Sequence, residues 1–225
     1  MSFVNVAIDG PSGAGKSTLA RKVAQELGFL YVDTGAIYRT LGLFVLKNGA
    51  APSDENAVKP LLPRADIRME HGRDGGQHMY LCGEDVTEAI RRPEVSKAAS
   101  QVSAIPAVRA YLLEMQRSLA RTHDVVMDGR DIGTVVLPDA TVKIFLTASP
   151  EARARRRCRE LEERGLPQPY EKVLADIVER DKKDMTRETA PLRRAEDAVL
   201  VDTTELDLEE SFHTLLDRVK GGIGA

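Results

Sequence analysis

Residues 10–18 read Gly-Pro-Ser-Gly-Ala-Gly-Lys-Ser-Thr and follow a short, mostly apolar run at residues 3–8. This string matches the P-loop pattern G-x-x-x-x-G-K-[ST], in which glycines permit a tight loop whose backbone N–H groups bind phosphate oxygens. An amphipathic helical pattern comes next and ends at Gly28. A strand before the loop and a helix after it are the context that the motif requires. The segment therefore predicts an α/β fold with a parallel sheet.

The P-loop motif predicts roles for individual residues of the loop. Lys16 is expected to reach the β- and γ-phosphates of a nucleoside triphosphate and to act in catalysis. The Ser17 hydroxyl is expected to face Mg²⁺, largely through water, and the helix N-terminus adds a favourable dipole for anions. The residues predicted to bind ATP are Gly10, Pro11, Ser12, Gly13, Ala14, Gly15, Lys16, Ser17 and Thr18.

The rest of the chain alternates strands and helices, with one interruption. Residues 66–70 and 77–82 alternate with a period of two around a turn at 73–76, which predicts an antiparallel hairpin. We therefore predict a P-loop core at 1–59 and 103–225, with a small inserted subdomain at 60–102. Further strands are predicted at 29–32, 125–127, 142–146 and 198–201, and helices at about 38–48, 106–121, 150–163, 170–186 and 208–219.

Charge and cysteine content narrow the function classes. The chain of 225 residues has 32 basic and 35 acidic residues, a net charge of −3, which argues against binding to nucleic acid or an anionic membrane. Cys82 and Cys158 form no metal-binding pattern. No apolar run approaches the ~20 residues of a membrane span, and the N-terminus lacks a signal pattern. We expect a soluble, cytoplasmic protein.

A P-loop alone does not define a reaction. Signalling GTPases need D-x-x-G and N-K-x-D strings, and neither occurs here. A kinase of a small acceptor needs arginines that neutralise the transferring phosphoryl group and a means of excluding water. A nucleotide-binding module without transferase activity is the more distant alternative.

An arginine-rich pair of helices is predicted at about 150–186. Arg153, Arg156 and Arg157 fall at positions i, i+3 and i+4 of the first helix, on one face. A Gly/Pro loop at 165–169 joins it to the second helix. This pattern is typical of a mobile lid, but a solvated hairpin with ion pairs gives the same pattern.

Polar residues also follow two of the predicted strands. Arg39 lies shortly after residues 29–32 and could hold an acceptor phosphate, although Asp33 or Thr34 capping a helix beside an ordinary surface arginine explains the same residues. The string Asp-Gly-Arg-Asp at 128–131 follows a second strand and could serve Mg²⁺, phosphate or a base edge, or be a polar turn. Ligands bind at this edge of parallel sheets.

Taken together, these strings resemble the bacterial cytidylate kinases, the (d)CMP kinases of the nucleoside monophosphate kinase group. The resemblance rests on residues 8–16, 33–39, 99–102, 128–136, 179–181 and 190–192, in family order. It implies a P-loop kinase fold and the reaction ATP + (d)CMP → ADP + (d)CDP with Mg²⁺, usually by a monomer. It also implies that the insert at 60–102 binds the nucleoside monophosphate acceptor. Other P-loop kinases, acting on UMP, AMP or shikimate, remain the near alternative.

The resemblance also implies residue roles. Ser100, Arg109 and Asp131 would read cytosine, and Arg180 and Asp184 would hold the sugar. The acceptor phosphate would contact Thr34, Arg39, Arg130 and Arg187. Together with Lys16, the residues expected to neutralise charge during transfer are Arg130, Arg153, Arg157, Arg180 and Arg187. The four histidines are scattered, and we expect none of them to be catalytic.

Overall fold

The computed structural model describes residues 3–72, 76–163 and 165–224. Most of the turn that was predicted at 73–76 lies outside the described residues. The strands are β1 Asn5–Asp9, β2 Leu30–Asp33, β3 Ile67–His71, β4 Gln77–Leu81, β5 Glu84–Asp85, β6 Val125–Gly129, β7 Val142–Thr147 and β8 Val199–Asp202. The helices are α1 Lys16–Leu27, α2 Thr34–Lys47, the short α3 Glu55–Val58, α4 Pro93–Val102, α5 Pro106–Thr122, α6 Pro150–Glu163, α7 Tyr170–Thr186 and α8 Leu208–Ile223.

A five-stranded parallel sheet in the order β2-β6-β1-β7-β8 forms the centre of the molecule. β1 is the middle strand, so the loop that leaves it lies at the centre of the sheet's carboxyl edge. β6 is the neighbour of both β1 and β2, and Asp128 pairs in register with Ile8 on one side and with Asp33 on the other. This register brings the strand-end residues to one edge, as the sequence predicted.

Helices cover both faces of this sheet, which confirms the predicted fold class. Ala7 and Met127 contribute to a core that also contains buried residues of α2 and α5. Val6 and Ile8 point to the opposite face, into a core shared with α1 and α8. Near-continuous apolar strands are expected where both faces of a parallel sheet are buried. Among the described helices, none has the length and apolar character needed to cross a membrane.

The predicted hairpin is present as an antiparallel sheet in the order β3-β4-β5. Its buried residues Met79 and Leu81 belong to the same hydrophobic core as those of α2. α4 also packs closely on α2, because a Cβ atom at Gly42 would lie 2.9 Å from the backbone nitrogen of Ala99. The boundaries of a subdomain at 60–102 remain a prediction, but this part of the chain does not bury its apolar residues separately.

α6 and α7 form a small layer with its own apolar contacts. Ala154 and Leu161 of α6 pack with Val173 and Ile177 of α7, and Cys158 lies against this cluster. Ala154, Cys158 and Leu161 share one face of α6, because they are spaced by about one helical turn each. The two helices therefore hold each other through a cluster that is separate from the cores of the main sheet.

Candidate active site

The P-loop is held close to the neighbouring strand. Gly10 has a φ of 152°, and a Cβ atom there would lie 1.9 Å from the carbonyl oxygen of Leu146 in β7. Only glycine fits this position, because any side chain would collide with backbone. Gly15 adopts a left-handed conformation as the N-cap of α1. The loop thus leads directly into a helix N-terminus, the arrangement that favours bound phosphate.

Lys16 lies folded over the loop. Its Nζ donates a hydrogen bond to the carbonyl oxygen of Pro11 at 2.8 Å, and the side chain is buried. Burial, followed by the positive charge of Arg130, lowers the pKa of Lys16 to about 7. A bound phosphate would supply the negative charge that this buried ammonium group lacks.

Asp128, at the end of β6, is the buried carboxylate beside the P-loop. It accepts hydrogen bonds from the Ser17 hydroxyl at 3.0 Å and from the Tyr31 hydroxyl at 2.9 Å. Burial raises its pKa to about 6.

A carboxylate and a hydroxyl in contact suit Mg²⁺, which is usually bound by one or two carboxylates and keeps several waters. Within the described residues no group of three or more His, Cys, Asp or Glu side chains could hold a metal. The pair Ser17 and Asp128 therefore fits Mg²⁺ that is shared with a nucleotide, and does not form an all-protein cage.

Two arginines that follow β2 and β6 in the chain are paired with carboxylates. Arg39 forms an ion pair with Asp33 at 2.7 Å, and the Asp33 carboxylate also accepts from the N–H of Ala36 at the start of α2. Asp33 thus caps α2, and Arg39 is half-buried beside it, while its role toward an acceptor phosphate stays a prediction. Arg130 donates through Nε to Asp184 of α7 at 2.9 Å.

A second ionic cluster lies between α5, the loop after β6 and the end of α7. Arg109 forms an ion pair with Asp131, and both side chains are buried. Arg109 also lies over the ring of Tyr38, 5.6 Å from its centroid. The Arg187 guanidinium is 3.7 Å from Asp131 and donates to the carbonyl oxygen of Ala190 at 2.7 Å. Ser100 lines the cavity beside this cluster.

The arginines of these clusters outnumber the carboxylates that neutralise them. Arg39 Nε, Arg180 Nε and Arg187 Nη2 are buried atoms without a hydrogen-bond partner among the residues that the structure describes. The pKa of Arg180 falls to about 10, chiefly through burial and then through the charge of Arg130. Guanidinium groups that each keep a buried, unpaired donor atom indicate a site for an anionic ligand.

One cavity of about 1130 Å³ joins the P-loop to these clusters. It brings together all but three of the residues predicted for the site. The predicted residues that line it are Ser12, Gly13, Ala14, Gly15, Lys16, Ser17, Thr18, Thr34, Arg39, Ser100, Arg109, Arg130, Asp131, Arg157, Arg180, Asp184 and Arg187. Gly10, Pro11 and Arg153 do not line it. Thr34 has its hydroxyl engaged, because Oγ1 donates to the Asp128 carbonyl at 2.8 Å.

Arg153 has a different position from the one that its helical spacing indicated. Its Nη1 donates to the carbonyl oxygen of Ser12 at 2.9 Å, and its Nη2 pairs with Asp181 of α7 at 2.6 Å. Arg156 instead contacts Thr203, and Arg157 pairs with Glu160. The three arginines therefore reach three different partners in this structure. Helical spacing correctly predicts that the three Cβ atoms lie on one face of α6, but it does not predict which partners these long side chains contact.

Several residues of the site were missed or left without a role. Asp9 accepts from the N–H groups of Ile132 and Gly133 at 2.7 and 2.8 Å, and Gln77 bonds to the backbone of Asp33. A signal existed for Asp9, since a charged residue that ends an apolar buried strand directly before a P-loop needs buried partners. No pattern in the sequence pointed to Gln77.

With this geometry established, similarity to known proteins identifies the family. A family model described as cytidylate kinase matches residues 6–221. The chain belongs to the cytidylate kinase family. A cytidylate kinase from Carboxydothermus hydrogenoformans is 54% identical over 95% of this chain and 96% of the relative. A cytidylate kinase from Shouchella clausii is 50% identical over 96% of each chain.

Solved structures are more distant. A shikimate kinase from Bacteroides thetaiotaomicron aligns over 99% of both chains with 13% identity and a TM-score of 0.46. This similarity is too low to bear on the substrate, so the assignment to the cytidylate kinase family rests on the sequence matches.

Proposed function

We propose that this chain transfers the γ-phosphoryl group of ATP to CMP or dCMP, giving ADP and CDP or dCDP. One observation carries the proposal beyond family membership. A single cavity has the P-loop at one part and, at another, three arginines that each keep one buried nitrogen without a hydrogen-bond partner among the described residues. A site of this kind suits two anionic ligands that must approach each other.

The donor nucleotide is assigned to the P-loop. The backbone of residues 10–18 would hold the phosphates, and Lys16 would exchange its hydrogen bond to Pro11 for a phosphate oxygen. Ser17 and Asp128 would hold Mg²⁺. When bound, the metal would neutralise charge on the β- and γ-phosphates.

The acceptor is assigned to the arginine clusters. Arg39, Arg130 and Arg187 would hold its phosphate, with Thr34 beside them. Arg180 and Asp184 would hold the sugar. These assignments follow from the family resemblance, and they are supported by the position of all six residues around one cavity.

Base recognition is assigned to Arg109, Asp131 and Ser100. A carboxylate accepts a hydrogen bond from the exocyclic amine of cytosine, and a guanidinium donates to a ring acceptor. Arg109 and Asp131 already contact each other in a buried pair. Their orientation is therefore fixed before the base binds, which favours selection.

The transfer itself needs little covalent chemistry. The acceptor oxygen belongs to a phosphate that is already anionic near neutral pH, so no general base is required. Catalysis by this chain consists of aligning two phosphates and neutralising their charge with Lys16 and the arginines.

Water must be kept from the γ-phosphate, and we assign that task to α6 and α7. Arg157 lines the cavity from α6, whereas Arg180 and Asp184 line it from α7. Closure of these helices would bring further positive charge over the phosphates. Arg153 could serve as a phosphate ligand only by leaving Asp181 and the Ser12 carbonyl. We further propose that the enzyme is a cytoplasmic monomer.

A coupled assay of ADP release over a panel of acceptors tests this function. With ATP and Mg²⁺, we expect fast turnover with CMP and dCMP, and turnover slower by roughly 10²-fold or more with UMP. AMP and shikimate should give none. Preference for one of the other acceptors would overturn the substrate assignment, and ATP binding without acceptor-dependent turnover would overturn the kinase assignment.

A further inference from the structure

The segment after Asp131 has an unusual backbone. Ile132–Val136 forms a single-turn π-helix, and it follows directly on Arg130 and Asp131 at the cavity. Short π-helical turns are rare and occur frequently at functional sites. The position of the Asp131 carboxylate depends on how this turn is held.

From one side, the turn is held by the central strand of the sheet. The Asp9 carboxylate accepts from Ile132 N–H at 2.7 Å and from Gly133 N–H at 2.8 Å. Both oxygens of Asp9 are thus used, one for each N–H. Asp9 is buried, does not line the cavity, and directly precedes Gly10 of the P-loop.

From the other side, the turn is held by α5. The Nε of Arg117 donates to the carbonyl oxygen of Val136 at 2.9 Å, and its Nη2 donates to that of Val135 at 2.9 Å. Arg117 does not line the cavity either. It lies eight residues after Arg109 on the same helix, and Arg109 forms the ion pair with Asp131.

We propose that Asp9 and Arg117 are positioning residues, which together hold the π-helical turn and so fix Asp131 against Arg109. The proposal rests on the proposed function, because it makes base selection depend on two residues that touch no substrate. Asp9 has a second role in it. Since Asp9 is joined to Gly10, it also fixes the donor loop relative to the acceptor side.

The two residues are expected to differ in effect. Without Arg117, the carbonyl oxygens of Val135 and Val136 lose a bidentate donor, and the turn can shift on the acceptor side only. An amide at position 9 has one good acceptor oxygen where the carboxylate has two, so one N–H bond is lost beside the P-loop. Loss of a buried hydrogen bond of this kind corresponds to roughly 10-fold in a binding constant.

The test compares Arg117→Met with a control variant, Arg121→Met. Arg121 lies one turn further along α5, and its substitution removes only an exposed ion pair with Glu114. For Arg117→Met, we expect the KM for CMP to rise roughly 10-fold, with the KM for ATP unchanged. The ratio of kcat/KM for CMP to that for UMP should narrow. Arg117→Lys keeps the charge without the bidentate geometry, so its KM for CMP should lie between those of the unsubstituted enzyme and Arg117→Met. Arg121→Met should match the unsubstituted enzyme.

For Asp9→Asn, we expect weaker binding of both CMP and a non-hydrolysable ATP analogue in calorimetry. The proposal is overturned if Arg117→Met melts at a lower temperature while its CMP-to-UMP ratio and KM for CMP stay unchanged, because the role is then only structural. It is also overturned if Arg117→Met weakens ATP and CMP equally. If the unsubstituted enzyme itself fails to use CMP, the proposed function fails instead, and the two failures are distinguishable.

Discussion

The side-chain amide of Gln77 pairs with both backbone groups of Asp33. Its Oε1 accepts from the Asp33 N–H at 2.7 Å, and its Nε2 donates to the Asp33 carbonyl at 3.2 Å. β2 is an edge strand of the main sheet, so these backbone groups have no strand neighbour on that side. The hairpin thereby fixes the residue that holds Arg39.

Removing this amide should weaken acceptor binding. For Gln77→Ala, we expect the KM for CMP to rise about 10-fold, because Asp33 and Arg39 lose their support. The KM for ATP should stay the same. Arg68→Ala, on the exposed face of the same hairpin, is the matched control. Equal kinetics for the two variants would show that Gln77 does not position the acceptor site.

Lys16→Ala should abolish most activity without unfolding the protein. The loss of one preorganised charge should lower kcat by on the order of 10²-fold or more. In the ligand-free structure the Lys16 ammonium group donates to the backbone carbonyl oxygen of Pro11, so its removal costs the fold one hydrogen bond. Steady-state kinetics and thermal melting measure the two effects, and unchanged activity with an unchanged fold would contradict the P-loop assignment.

Substitution of Asp131 should reduce discrimination between bases. Uracil presents an acceptor and an N–H where cytosine presents a donor and an acceptor, so it would be mispaired in the proposed contacts with Asp131 and Arg109. Two buried mispairings at about 1–3 kcal/mol each predict a CMP preference of roughly 10²-fold or more. Asp131→Ala should damage turnover of CMP far more than that of UMP.

Asp131→Asn keeps the shape of the side chain and serves as the second variant, because the alanine variant also leaves Arg109 buried without its partner. If both substitutions depress CMP and UMP turnover by the same factor, Asp131 acts on the phosphate or the metal and not on the base.

Amide hydrogen exchange should report closure of α6 and α7. These helices share a small apolar cluster of their own, so they can move together relative to the main sheet. Exchange within Pro150–Glu163 and Tyr170–Thr186 should slow when CMP and a non-hydrolysable ATP analogue bind together. The carboxyl-terminal helix α8 provides an internal reference. Identical exchange with and without ligands would contradict the lid.

Asp9 should make the folded state less stable as pH rises through a defined window. Burial raises its pKa from 3.8 to about 6 against the opposing effect of its two backbone hydrogen bonds. A carboxyl group with a raised folded-state pKa stabilises fully below its unfolded pKa, and this contribution is lost as pH rises through the folded value. The window is therefore about pH 4 to 6, with a span of roughly 3 kcal/mol.

Urea unfolding of the ligand-free protein and of Asp9→Asn at pH 4.5 and 7.5 measures this linkage. Other carboxyl groups titrate in both proteins, so the difference between the two isolates Asp9. We expect Asp9→Asn to become more stable relative to the unsubstituted protein when the pH is raised from 4.5 to 7.5. A difference that is independent of pH would mean that the pKa of Asp9 is not raised by folding.

The sequence predicted the fold well because its signals are local. The strand, P-loop and helix at residues 3–28 are adjacent in the chain, and the glycine pattern is specific. The period-two hairpin was also recognisable from its own residues. Ser100 and Arg109 carried no such signal, and they were placed only by resemblance to a family. The partner of Arg109 in the structure, Asp131, lies 22 residues further along the chain.

The partners that long side chains contact in the folded protein could not be predicted in the same way. Helical spacing placed Arg153 and Arg157 on one face, but the structure takes Arg153 to Ser12 and Asp181. A long side chain pairs with whichever buried partner the tertiary fold supplies, and Asp181 belongs to another helix. The two hydrogen bonds between Gln77 and Asp33 likewise join residues from separate sheets.

The shared core of the hairpin and the main sheet limits how this enzyme can be redesigned. Met79 and Val95 fill the same apolar interior as Ile37 and Leu41, and α2 lies against the backbone of α4 at Gly42. Residues 60–102 are therefore not an exchangeable cassette. A graft that brings the corresponding segment of a kinase for another acceptor would have to bring its own α2, or it would leave voids and clashes in the centre of the protein.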